Sequence, residues 1–185
     1  FVHHGSTIFA FTVGTDFRAE DSFRIAASHG DFPGFRIKPN AGMEVNGYLQ
    51  LNTEGYGGAI LSTWLDRPLS VAGRVVLKSD DVFKPEVRFI DMKKPILIIP
   101  NLAIHMNRDM NNGVALNPQI DMLPLYTMKQ DEQGYKTLKG MVAEVLSKDL
   151  GEMIQEKDIL GSDLFVENCE KAVLAGVEQE FIMTP

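Results

Sequence analysis

Two histidines and one aspartate carry the chemistry that this sequence could do. His29 and Asp31 stand two residues apart in Ser28-His29-Gly30-Asp31-Phe32-Pro33. A neutral imidazole is a good zinc ligand, and it holds a metal best when its other ring nitrogen is fixed by a carboxylate or carbonyl. Asp31 is spaced to do that, or to orient the loop. The same pair also reads as a surface-loop histidine beside a turn aspartate, and His-x-Asp alone does not decide between them. His105 lies one turn on from Leu102 and reads first as a core-edge histidine packed on its own helix. His3 and His4, adjacent on an extended chain, point to opposite faces and do not chelate one metal together. No His-Glu-x-x-His, Gly-x-Ser-x-Gly, P-loop or dinucleotide fingerprint occurs. With four histidines and one cysteine, the chain does not close a zinc site by itself.

The elements that must position these residues are mostly extended. Phe23–Ala27 reads as a strand whose carboxyl end delivers His29, where open α/β sheets place their ligand sites. Thr7–Val13 before it and Phe35–Lys38 after the Pro33-Gly34 turn are strand-like as well. Pro39-Asn40-Ala41-Gly42 reads as a domain boundary. Beyond it comes a β-rich succession: Tyr48–Thr53, Ala59–Leu65, a turn at Asp66-Arg67-Pro68, Leu69–Lys78, Glu86–Asp91 and a buried run over Pro95–Pro100. Gly73 inside the fourth of these marks a bulge or a close backbone approach. Asn101–Arg108 reads as a short helix with Asn101 at its N-cap, which would mount His105. A loop over Met110–Gln119, a short strand at Met122–Tyr126 and a polar stretch over Lys129–Lys136 follow. Leu138, Met141, Val142, Val145, Leu146 and Leu150 then mark one amphipathic helix that Gly151 can close. Asp163–Asn168, Lys171–Val177 and Glu180–Met183 read as strands.

Composition bounds the rest. The 185 residues are 44% hydrophobic and 23% charged, ordinary for a globular chain with one good core or one domain plus part of another. A net charge of −7 with no basic patch argues against a nucleic-acid partner. No run approaches a membrane span. The single cysteine, Cys169, excludes an internal disulfide framework and fits a reducing cytoplasm; it reads as a buried or half-buried thiol. The chain begins at Phe1 and stops straight after an apolar run, so it reads as a piece of a longer protein.

Longer motifs sharpen this. Ser28-His29-Gly30-Asp31-Phe32-Pro33 followed by Lys38-Pro39 resembles the first metal-ligand loop of the aspartyl aminopeptidase family, cocatalytic zinc aminopeptidases; Gly30 and Phe32 depart from hydroxyl residues usual there. Glu54-Gly55-Tyr56-Gly57-Gly58, then Trp64-Leu65-Asp66-Arg67-Pro68-Leu69 and Ala72-Gly73-Arg74-Val75, is similar to a second and more specific family stretch, with Leu65 for a phenylalanine. Lys94–His105 and Leu116-Asn117-Pro118 add two more, and the match is closest to the bacterial branch. Read without the family, Glu54 and Tyr56 mark a glycine-allowed turn, Asp66-Arg67 an ion pair or turn constraint, and Trp64 a core or interface anchor.

The resemblance implies an α/β fold: part of a three-layer α/β/α metallopeptidase domain (residues 1–39), an inserted β-rich dimerisation domain (40–172) and a return to the catalytic domain (173–185). It implies a zinc-dependent aminopeptidase with two zinc ions, His29 as a metal ligand, Asp31 orienting it, and peptide substrates, with acidic N-terminal residues a family trait. The bridging aspartate would follow Pro185, and the general-base glutamate lies outside this chain. It implies a homodimer building a larger homo-oligomer, in which His105 reaches the partner's active site to hold substrate and oxyanion. Two other readings stand beside it: a noncatalytic oligomerisation module, and a deacylase of the same metal-site type.

Overall fold

The computed structural model describes residues 1–129 and 135–184, apart from the side chain of His4. Most of the polar stretch expected at Lys129–Lys136 therefore lies outside the described residues. The chain divides into two compact units, residues 1–33 and 34–185.

In the first unit, Val2–His4 (β1) and Thr7–Phe9 (β2) form an antiparallel hairpin with His3 opposite Ile8. The strand expected over Thr7–Val13 is thus three residues long. The one expected over Phe23–Ala27 does not form. A strand is held by ladder hydrogen bonds to a neighbour, and among the described residues no element pairs with this run. No described side chain of residues 1–32 is buried, and Phe1, Phe23, Ile25 and Phe32 are among the most exposed apolar residues of the chain. This unit has no core of its own.

The second unit is built on one sheet. Gly34–Val45 (β3) and Tyr48–Tyr56 (β4) are joined by Asn46-Gly47, both at positive φ (50° and 79°). That two-residue turn matches the right-handed twist of the strands it joins, which is why Asn-Gly favours hairpins. The register of β3 against β4 shifts between Ile37 and Gly42. Pro39 has no N–H to give the ladder, and Asn40 sits at φ 55°. The expected boundary at Pro39–Gly42 is accordingly a bulge inside one continuous strand.

Leu69–Leu77 (β5), Glu86–Asp91 (β6) and Leu125–Met128 (β7) precede a helix over Leu138–Leu150 (α1), and Ile159–Asn168 (β8) follows it. The six strands form an antiparallel sheet in the order β6-β5-β8-β3-β4-β7. Val173–Ala175 (β9) and Phe181–Met183 (β10) pair only with each other. The apolar stripe of α1 packs as its spacing predicts. Val142, Ala143 and Leu146 join Val71, Val75, Leu77, Ile90, Ile159 and Leu164 in one core. Thr137 caps the helix by accepting from the Gly140 amide at 2.9 Å, and Gly151 ends it at φ 72°. The whole is a mixed α/β chain dominated by its sheet region.

Two further expectations give way. Ala59–Leu65 is not a strand; its centre, Leu61–Trp64, is a single 3-10 turn. That turn sets the Trp64 ring edge-on to Phe35, with ring centroids 5.1 Å apart, so Trp64 is a core anchor as expected. Asn101–Arg108 forms one turn rather than a helix. The Met106 and Asn107 amides both donate to the Ala103 carbonyl, but Leu102, Ile104 and Met106 are exposed. With no apolar stripe to bury, one turn does not propagate into a helix. The Pro95–Pro100 run buries Leu97 and Ile99 and makes single bridges to Leu69 and Leu125.

Candidate metal-ligand loop and histidine loop

His29 and Asp31 are brought together as their spacing suggests. The Nδ1 atom of His29 lies 2.6 Å from the Asp31 carbonyl oxygen and 3.2 Å from its Oδ1. A carbonyl only accepts, so Nδ1 carries the hydrogen. In the neutral ring this leaves Nε2 as the nitrogen with the lone pair. The His29 side chain is 80% exposed. The loop thus presents one imidazole nitrogen in the form a metal binds, with its other nitrogen already held. Among the described residues no three His, Cys, Asp or Glu side chains gather into a metal-holding group, and His29 and Asp31 are no exception.

His105 belongs to the second unit and is exposed in the Ala103–Asn107 turn; it is not a core-edge residue. The turn is tied at its entrance by Asp66. The Asp66 amide donates to the Ile99 carbonyl and Asp66 Oδ1 accepts from the Asn101 amide, both at 2.9 Å. Asn101 Oδ1 accepts from the adjacent Leu102 amide at 2.9 Å; an N-cap accepts two or three residues on and no helix follows, so the expected cap does not form. At its exit, Asn107 Nδ2 lies 3.6 Å from Met110 Sδ, and Met110 packs on the core.

The motif residues resolve into separate structural contacts. Asp66 and Arg67 do not pair with each other: Arg67 Nη1 donates to Glu170 Oε2 at 2.7 Å. Glu54, Arg36, Asp163 and Arg74 form a ladder of ion pairs across β4, β3, β8 and β5, at 3.7, 2.9 and 3.4 Å. Tyr56 meets Phe165 edge-on at 6.0 Å. The double attachment of Asp66 across Pro100 is the feature that sequence reading missed. Its signal was an Asp directly before Arg-Pro, a residue type that tolerates the left-handed region.

A titratable group outside the motifs also stands out. Burial, then the Asp91 charge and a hydrogen bond with it, push the Glu167 carboxyl up. Cys169, half-buried just beyond β8, has its thiol pushed up, chiefly by burial. A cleft of about 570 Å³ between α1 and the β3 bulge is lined by Lys38, Tyr126, Thr137 and Glu156 among others. Neither His29 nor His105 lines it.

Known proteins were compared with the chain. A family model described as aminopeptidase I zinc metalloprotease (M18) matches residues 1–185. A probable M18 family aminopeptidase 2 of Clostridium acetobutylicum is 46% identical over 178 residues, 96% of this chain and 40% of that protein. The cryo-EM structure of the Ape4 and Nbr1 complex matches with a TM-score of 0.77 at 32% identity, covering 84% of this chain and 31% of that one. The mApe1 dodecamer of S. cerevisiae matches with a TM-score of 0.59 at 21% identity, covering 84% and 33%; that likeness is one of fold. The chain spans about 40% of the length of the curated relatives it matches.

Proposed function

Because this chain belongs to the M18 aminopeptidase family, we propose that it is the first metal-ligand loop and the dimerisation domain of a zinc-dependent aminopeptidase that removes N-terminal residues from peptides. The observation that supports this most directly is the His29 contact: Nδ1 is held by Asp31 in a side chain that is 80% exposed. An imidazole held in this way suits zinc. When bound, zinc supplies Lewis-acid polarisation of the scissile carbonyl and lowers the pKa of a coordinated water. His29 contributes one ligand to a pair of zinc ions, and Asp31 fixes its ring. The remaining ligands and the general base belong to the part of the relatives that this chain does not span. Acidic N-terminal residues are the substrate class the resemblance implies.

The exposed apolar residues of 1–32 and of the β9–β10 hairpin fit this reading. Both are pieces of a catalytic domain whose remaining layers cover them. The inserted domain then starts at Gly34 rather than after Pro39, since β3 runs unbroken through the bulge, and it ends near residue 172. It makes a homodimer that larger assemblies reuse, in the cytoplasm. Across that dimer His105 is a donor aimed at the oxygen that gains charge, a contribution of ~3–4 kcal/mol to the barrier.

Metal content of the intact protein tests the core of this. Wild type should hold zinc after dialysis, and His29→Ala should lose at least half of it while keeping its oligomeric state. Unchanged zinc in His29→Ala would remove His29 from the metal site.

A further inference from the structure

We propose that Asp66 is a positioning residue for His105, acting through its two hydrogen bonds on either side of Pro100. This rests on the reading of His105 as a substrate-facing group.

Pro100 has no N–H and so fixes nothing in its own loop by donating. Asp66 bridges it instead, donating its own amide to the Ile99 carbonyl and accepting the Asn101 amide on Oδ1, each at 2.9 Å. Asp66 is itself firmly mounted. Leu65 before it is buried, Arg67 after it is bonded to Glu170, and the Pro68 carbonyl accepts from the Cys169 amide. Asp66 sits at φ 57°, a left-handed conformation that aspartate and asparagine tolerate better than most residues. Asn101 Oδ1 in turn accepts from the Leu102 amide, and the Ala103 carbonyl, next along the chain, accepts from the Met106 and Asn107 amides of the turn that carries His105. Leu102, Ile104 and Met106, around His105, are all exposed. Apolar burial therefore does not hold the apex of this loop, and its hydrogen bonds must. A donor misplaced by about 1 Å loses rate rather than binding.

The test uses the intact protein that carries this sequence. Asp66→Gly accepts φ 57° and keeps the backbone amide, so it removes only the Oδ1 acceptor; Asp66→Asn keeps that acceptor. Asp66→Gly should lower kcat about tenfold with KM within about twofold, as expected when a charge-assisted hydrogen bond is lost. The oligomer should be unchanged, the melting midpoint should fall by no more than a few degrees for the one lost hydrogen bond, and Asp66→Asn should restore the rate. In a His105→Ala background the Asp66→Gly effect should vanish, because both act through one group. A full-rate Asp66→Gly beside a crippled His105→Ala would overturn the proposal, as would an undiminished Asp66→Gly effect without His105. A fully active His105→Ala would instead remove the role given to His105. In that case hydrogen exchange at the Asn101 amide still decides whether Asp66 sets the loop: faster exchange in Asp66→Gly supports it, and unchanged exchange refutes it.

Discussion

Gly73 lies directly against the carbonyl of Asp163. A Cβ at Gly73 would sit 2.2 Å from that oxygen, and Gly73 has φ 152°. β5 and β8 approach this closely because residue 73 has no side chain, and the contact pins a strand at residue 73 to one some ninety residues later. Gly73→Ala should destabilise the fold by ~3 kcal/mol or more through overpacking plus backbone strain. A thermal melt of the intact protein reads this out, and a midpoint within 2 °C of wild type, roughly half a kcal/mol, would contradict it.

The charge ladder beside it should matter far less. Asp163 joins Arg36 and Arg74, but the two arginine side chains are 48% and 59% exposed. Exposed ion pairs contribute about 0–1 kcal/mol each. Asp163→Asn, which weakens both pairs, should therefore cost no more than about 2 kcal/mol, with the gap to wild type narrowing in 1 M salt. A loss as large as that of Gly73→Ala would mean that the ladder, rather than the close backbone approach, sets the register.

Glu167 gives a pH dependence of definite sign. Burial, with Asp91 next to it, raises its carboxyl above the ordinary value. The folded state then holds this proton to higher pH than the unfolded chain does. Its contribution to stability is complete below the unfolded value and is lost as pH rises through the folded one. Asp91 and the Cys169 thiol are the ionisable groups coupled to this carboxyl. Glu167→Gln should raise the melting midpoint at pH 7 and make little difference at pH 4. The opposite ordering would show that Glu167 is stabilised as the anion.

Asp31 holds His29 twice, through its carbonyl at 2.6 Å and its carboxylate at 3.2 Å. Substituting the side chain leaves the carbonyl in place. Asp31→Ala should therefore weaken zinc binding by about tenfold, the low end for lost outer-shell partners, where His29→Ala removes the ligand outright. Competition with a chromophoric chelator distinguishes the two. Equal losses would mean that the carboxylate does more than orient the ring.

The parts of the fold that were legible in the sequence are those with a local cause. The α1 stripe, its closure at Gly151 and the strand at Glu86–Asp91 act within a few residues. Gly73 was legible because a glycine inside a β-branched run needs a reason. The misreadings lie where a long-range partner decides. Phe23–Ala27 has strand propensity but no neighbour to pair with among the described residues, and Leu61–Trp64 trades its strand for the contact of Trp64 with Phe35. Pro39–Gly42 looked like a boundary because a bulge and a linker share the same residue types. The Asn46-Gly47 hairpin was a local signal that went unread. The contact of His29 with Asp31 was legible from spacing, whereas the Asp66–Asn101 bond joins residues 35 apart and no spacing rule reaches that far.

The central claim is that His29 and His105 serve one active site from two subunits. His29→Ala and His105→Ala, each made in the intact protein, should both be nearly inactive on an aminoacyl substrate. After co-refolding or subunit exchange, heterodimers verified by mass should regain about a quarter to a half of wild-type activity, since one of their two sites has its metal ligand and the partner's histidine intact. Heterodimers with no recovered activity would contradict the account.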